Sequence, residues 1–537
     1  MVTAEPTPAF DLLTQPWIPV IDLRGERCEV GLIGLLHDAH RIRRIVGDTP
    51  PMTAALHRLV LAFLHRSYGP SSEQAWATLW SAPQLPRAPV DNYVADKRDR
   101  FDLFDPVQPF LQCPALKGLA PSTAAKLVPH RAVGNNVTLF DHTTATDKIV
   151  LSQAESARWL VTAHAFDPGG MKTPYEKDKS SERAPCNLLG VVLVEGATLK
   201  ETLLLNALIY APKYAEPFMT YAEDRPAWEE PIAPMPQPDS RVGRGWTDVL
   251  TWPSRRILLS RGVVDGNPVV DGVTLTPGVR FKGKPVDEEK MAAFRQPVAA
   301  NGKPKADAPM LPVRLSPLRG VWRHSVELLL TDVWQEGRSR LRPRALEQIA
   351  TLAAHQIIPR DAVYTLRVFG QQLDKNAAVV EAYLEEQVPA PVSLLRAEDQ
   401  SLGALIGTAI ALADDAGAAL RNMERDYLKD QRAEPTSGLD LAYWPPLDRT
   451  FATFLRELGR ARAEAIPETD AVAIWAKEIE RTAQQAADRW AEGVPAVERN
   501  LLMLGKHHGD FLRRLDRLVS TFHREVRNYI TREDQQE

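Results

Sequence analysis

The chain has 537 residues, 44% hydrophobic and 25% charged, with a net charge of −4. That length exceeds what one hydrophobic core supports and implies about two to four domains, and the charge excludes a uniformly basic nucleic-acid protein while leaving room for a local basic stripe. Cys28, Cys113 and Cys186 stand far apart, which provides neither a disulfide framework nor a CxxC metal knuckle and fits a reducing cytoplasm.

Taken in order, MVTAEPTPAFDLLTQ lacks the basic and apolar regions of a signal peptide. No apolar run approaches the ~20 residues that cross a bilayer, so no membrane partner is expected. Trp17 to Ile21, a turn at Arg24-Gly25-Glu26 and a return over Cys28 to Val30 read as a hairpin. Helices follow near Leu32 to His40 and over Thr53 to Ser67, the second with an apolar stripe and Thr53 as its cap. Residues 81–90 read as a proline-rich link, and FDLFDPVQPFLQ (101–112) as a packed irregular segment in which Asp102 and Asp105 are structural. HRAVGNNVTLFDHTTATD (130–147) is a long polar loop, a kind usually functional or disordered. Ser152 to Ala165 predicts a helix, as does Leu199 to Leu208.

Strands are predicted within Trp246 to Leu259 and Gly262 to Phe281, with turns at Asp265-Gly266 and Asp271-Gly272 and a basic tip at Arg280 to Lys284. Val363 to Phe369 is a strand by alternation, Gln371 to Ala378 its turn, and Val379 to Glu386 the return. At Pro389-Ala390-Pro391 the pattern changes to four long helical stretches, 398–430, 447–464, 470–492 and 497–529, broken at Pro435, Gly438, Pro445, Pro446, Pro467 and Pro495. The expected fold class is α+β: a large irregular mixed domain over 1–390, then an all-α four-helix bundle over 391–537.

Two stretches carry binding chemistry. In FDPGGMKTPYEKDK (166–179) Pro168 stiffens the entry, Gly169 and Gly170 bare the backbone, and Lys172, Lys177 and Lys179 follow. Such a turn is either a solvated surface loop or a surface that lies against an anion or a nucleic-acid groove. On the last helix, Leu504, Phe511, Leu515, Leu518, Phe522 and Val526 share one side at roughly 100° per residue, while Lys506, Arg513, Arg517 and Arg524 form a row opposite. That row is either a solvated face or a track for phosphates. Nucleotide-binding loops, nucleophile elbows and zinc-protease signatures are all missing. His507, His508 and Asp510 suggest a competing reading as a metal-dependent nuclease or hydrolase, but adjacent histidines on a helix diverge. His324, beside Trp322 and Arg323, reads as a packed or capping histidine. Binding is favoured over catalysis.

The FDLLTQPWIPV, FDLFDPVQPFLQ, FDPGGMK and TLKETLLLNAL segments and the polar loop together resemble the CasA (Cse) family, the large subunit of the type I-E CRISPR surveillance complex Cascade. The likeness runs through most of residues 10–210. It implies a non-enzymatic subunit that recognises the PAM beside the target, helps open the duplex for R-loop formation and docks the helicase-nuclease. Implied partners are the backbone, small and 5′-end subunits, CRISPR RNA and target double-stranded DNA. Gly169, Gly170 and Lys172 match the family's PAM loop. Asn135, Asn136, Phe140 and His142 fall in its guide- and subunit-contact loop. Either Lys282 or Lys284 matches its lysine finger. Lys375, Asn376 and Ala377 lie where it places a duplex-splitting wedge, with Asn376 where members carry glutamine. The paired CxxC zinc ligands of some members are missing here, so no metal or cofactor is implied.

Overall fold

The computed structural model describes residues 9–129, 149–209, 223–297, 308–316, 320–330, 340–395, 400–431, 438–495 and 498–533. The amino-terminal hairpin forms as its alternation implies. Ile18–Asp22 pairs antiparallel with Arg27–Val30 on one side and with Ile42–Ile45 on the other. Its turn is set by Asp22, whose carboxylate accepts the N–H groups of Arg24 and Glu26 at 2.8 and 2.9 Å, and by Gly25 at a φ of +89°.

The central helix, Pro50–Tyr68, begins earlier than the apolar stripe suggests. Thr49, not Thr53, is the cap, accepting the Met52 N–H, and two prolines occupy the first turn, where no donor is needed. Thr53 sits one turn inside and bonds the Gly47 N–H at 2.9 Å. The helix is buried on almost every face and packs against Gln153–Phe166, which Ser152 caps. Residues 81–90 are not simply a link, because a helix starts at Arg87 and runs to Lys97. The irregular segment is tied down by its carboxylates: Asp102 accepts the N–H groups of Ala9, Phe10 and Phe104, and Asp105 those of Val107 and Gln108.

Two long antiparallel ribbons shape the rest of the mixed part. Arg255–Val264 pairs with Asn267–Pro277 around the Asp265-Gly266 turn. Strand structure does not reach back to Trp246, since Trp246–Leu250 is a short helix whose Thr247 and Asp248 N–H groups bond Asp224. Asp271-Gly272 is no turn; it stays inside the second strand near a bulge. The other ribbon, Val363–Leu373 with Val380–Pro391, adds Val191–Glu195 as a third strand. It is longer than its alternation predicts, so its turn shrinks to Asp374–Val379.

After a 3₁₀ turn at Val392–Leu395 come four helices, Gln400–Gln431, Gly438–Glu464, Thr469–Glu492 and Glu498–Glu533, packed as the bundle the sequence implied. The second runs through Pro445 and Pro446 instead of starting after them. Burial of Leu439, Tyr443, Trp444 and Leu447, with a bond from the Tyr443 hydroxyl to the Ala413 carbonyl, outweighs the two missing donors. The stretch Leu402–Asp430 is apolar and long enough to cross a membrane by length and composition, and 56% of that window is buried inside the fold. Trp322 joins bundle to mixed part, its indole N–H bonding Asp448 at 2.7 Å and its ring lying 4.6 Å from Phe451. His324 beside it is buried, as a packed histidine should be.

Candidate nucleic-acid interface

The glycine stretch is a turn leading into a hairpin, Gly170–Tyr175 with Asp178–Ser181, which packs against Asn267–Pro277. Gly170 has a φ of +96°, a conformation glycine adopts without strain. Gly169 is buried, and a Cβ there would stand 3.2 Å from Ala377 O, Arg183 N and Ser181 O. Gly170 is half-buried, and Met171, Lys177 and Lys179 are exposed. Gly169 therefore positions the turn from beneath, while Gly170 and the strand after it form the surface.

The turn is held from below by a buried network. Arg255 donates Nε–H to Asp167 Oδ2 at 2.6 Å, and its Nη2 reaches the carbonyls of Asp167, Pro168 and Glu182 at 2.8–3.1 Å. Asn187 Nδ2 donates to the carbonyls of Phe166 and Asp167, and Gln371 Nε2 to Phe166 O and Asn187 Oδ1. Lys172 belongs to this network too. Its ammonium lies 2.6 Å from Asp167 and is buried, so it is not the free flanking cation expected from its spacing. Burial opposes the Asp167 charge, but Lys172 and Arg255 outweigh it and hold the carboxyl below its usual range.

Lys375 and Asn376 are exposed at the tip of the long ribbon. Asp374 organises that tip: its carboxylate accepts the N–H groups of Asn376, Ala378 and Val379, at 3.2, 2.7 and 2.8 Å. Those bonds hold its carboxyl below the ordinary value. Ala377 sits at a φ of +55°, and its carbonyl accepts the Gly169 N–H at 2.7 Å. Tip and glycine turn, far apart in sequence, are one hydrogen-bonded unit. The exposed Lys282 and Lys284 follow the strand Val279–Phe281. A cleft of about 190 Å³ is lined by Ser181 to Arg183 on one wall and Arg280, Phe281 and Gly283 on another, so the basic tip shares a surface with the glycine hairpin.

Residues 11–486 match the family described as CRISPR-associated protein Cse1. The CasA/Cse1 protein of Thermus thermophilus is 32% identical over 95% of this chain and 98% of its own. The chain belongs to the Cse1 (CasA) family. Solved structures agree in fold: Cse1 from Acidimicrobium ferrooxidans superposes with a TM-score of 0.79 at 26% identity, covering 96% of this chain and 100% of that one. A chain in a structure of a CRISPR RNA-guided surveillance complex has the same fold, with a TM-score of 0.73 at 22% identity over 94% of this chain and 100% of that one.

In this Cse1-family chain the remaining candidates divide. Asn135, Asn136, Phe140 and His142 lie outside the described residues. Lys506, Arg513, Arg517 and Arg524 are all exposed on the last helix, opposite the buried Phe511, Leu515, Phe522 and Val526. The row is less single-signed than its spacing implies, because Asp510 reaches across to pair with Arg513. His507 and His508 turn to different helices, bonding Asp430 at 3.0 Å and Asp488 at 2.9 Å. Neither shares a site with Asp510. Asp167, Arg255, Asn187 and Gln371 have no motif of their own; the nearest local signal is the Arg255-Arg256 pair at the start of a strand with a buried face.

Proposed function

We propose that this chain is the large subunit of an RNA-guided Cascade complex, reading the PAM in double-stranded DNA and starting strand separation, and that it acts by binding, not catalysis. The observation that carries this is the bond from Gly169 N–H to Ala377 O, which makes the turn that would meet the duplex and the tip that would enter it a single body. The minor groove mainly distinguishes A·T from G·C, so a glycine backbone and one lysine, Lys282 or Lys284, suffice for permissive reading while guide pairing supplies sequence identity. Unpairing the first base costs a few kcal/mol. A tip braced by paired strands and by Asp374 offsets that cost by occupying the gap, with Asn376 at a base edge and Lys375 on the neighbouring phosphate.

On the same reading, the other Cascade subunits and CRISPR RNA contact the polar loop containing Asn135, Asn136, Phe140 and His142. The displaced strand follows Lys506, Arg513, Arg517 and Arg524, and the helicase-nuclease docks on this subunit. The working compartment is the cytoplasm. The reading as a nuclease through His507, His508 and Asp510 gains nothing from a geometry that sends the two imidazoles to separate carboxylates. The test is reconstitution of the complex with and without this chain. With it, PAM-bearing duplex should bind well above PAM-scrambled duplex; equal binding of the two duplexes, or PAM preference that persists without this chain, overturns the proposal.

A further inference from the structure

Behind the glycine turn lies a second cavity, of about 250 Å³, just below the ~300–1,000 Å³ typical of small-molecule sites. Arg100, Arg241, Arg244, Arg255 and Arg256 contribute to its walls, against two carboxylates, Glu230 and Asp239. Four of the five arginines are already engaged. Arg241 holds Asp248 through both nitrogens, Arg244 pairs with Glu230, Arg100 with Asp99 and Gln108, and Arg255 with Asp167.

Arg256 differs. It is 6% exposed, and its Nε donates to the Met235 carbonyl at 2.7 Å. Among the described residues its two terminal nitrogens have neither a hydrogen-bond acceptor nor a carboxylate in ion-pair range. Burial opposes its charge, Cys113 and Asp239 favour it from beyond ion-pair range, and Arg241 opposes it. Those nitrogens keep some solvent contact at the cavity wall, so water or an anion in the cavity supplies their acceptors. Phe110 and Trp228, stacked at 5.9 Å, add a flat apolar wall.

We propose that this cavity is an oxyanion site, with Arg256 as its principal ligand, taking a small phosphate-bearing molecule up to the size of a mononucleotide. The phosphoryl oxygens accept from Arg256 Nη1 and Nη2, the paired geometry arginine offers best. A base or other planar group lies toward Phe110 and Trp228. The exposed Ile232 stands at the rim.

The test uses the full-length chain in equilibrium dialysis with inorganic phosphate, adenosine monophosphate and adenosine as the uncharged control. Saturable binding of the monophosphate, of phosphate or of both, without binding of adenosine, is expected. Tighter binding of the monophosphate assigns a nucleotide, and equal binding a free oxyanion. Arg256→Met should weaken binding about tenfold or more. Ile232→Glu, on an exposed rim where folding is not at stake, should weaken it about threefold by repulsion and decides the matter if Arg256→Met does not fold. The proposal is overturned by failure of both anions to saturate, by adenosine binding as well as its monophosphate, by unchanged affinity in a folded Arg256→Met, or, where Arg256→Met does not fold, by unchanged affinity in Ile232→Glu.

Discussion

Asp167 is where the candidate interface depends most on a single side chain. It balances two buried cations, Arg255 and Lys172, and its own carbonyl takes two more bonds. Asp167→Asn leaves those cations without a counter-charge, which for buried pairs costs about 3–5 kcal/mol. Because the folded-state pKa lies below the ordinary 3.8, the wild-type contribution is present above that value and fades as pH falls through the lowered one. Urea denaturation should therefore separate variant from wild type widely at pH 7 and bring them together in acid; a gap that persists unchanged would mean the carboxylate charge is not what matters. The sequence shows the two glycines, since bare backbone is a local property. It does not show that Lys172 is spent internally, because Asp167 and Arg255 meet only after a ribbon from elsewhere in the chain docks against the turn.

Among elements, the long ribbon and the last helix make opposite demands on sequence reading. Alternation in Val363 to Phe369 is plain, but its outer end is polar and half-buried, so the strand's continuation to Leu373 carries no hydrophobic signature. The second bundle helix was legible in its apolar spacing and not in its start, because Pro445 and Pro446 ordinarily end helices and only packing by Tyr443 and Trp444 keeps them inside one. The last helix is legible almost whole: its amphipathic spacing alone separates the buried face from the basic one. On that helix Arg517 and Arg524 have no carboxylate partner among the described residues, whereas Arg513 is paired with Asp510. Arg517→Glu with Arg524→Glu should reduce the log–log salt slope of target binding by about 1.4–1.8, roughly 0.7–0.9 per lost phosphate contact. An unchanged slope would make the row a solvated face and nothing more.

The whole molecule joins a mixed part to a bundle through Trp322, Asp448 and Glu386. Glu386 accepts the Val321 N–H, and burial, with the nearby Asp448 charge, raises its pKa to about 7. A carboxyl whose folded pKa is raised favours folding in its neutral form, so stability should fall as pH rises from about 4.5 to about 7. Glu386→Gln should remove that slope and add on the order of 2 kcal/mol at pH 8; an identical pH dependence in denaturant melts would place the junction's pH response elsewhere. On the proposed function, glycine turn and ribbon tip form one device that first meets the PAM and then opens the duplex. It is tested most directly by comparing target binding of the reconstituted complex carrying Lys375→Ala and Asn376→Ala on a fully paired target and on one with a pre-opened bubble beside the PAM. At least about a tenfold loss is expected on the paired target, matching at least ~1.4 kcal/mol of unstacking no longer offset, with near-complete rescue by the bubble. Equal loss on both substrates, or no loss on either, would contradict it.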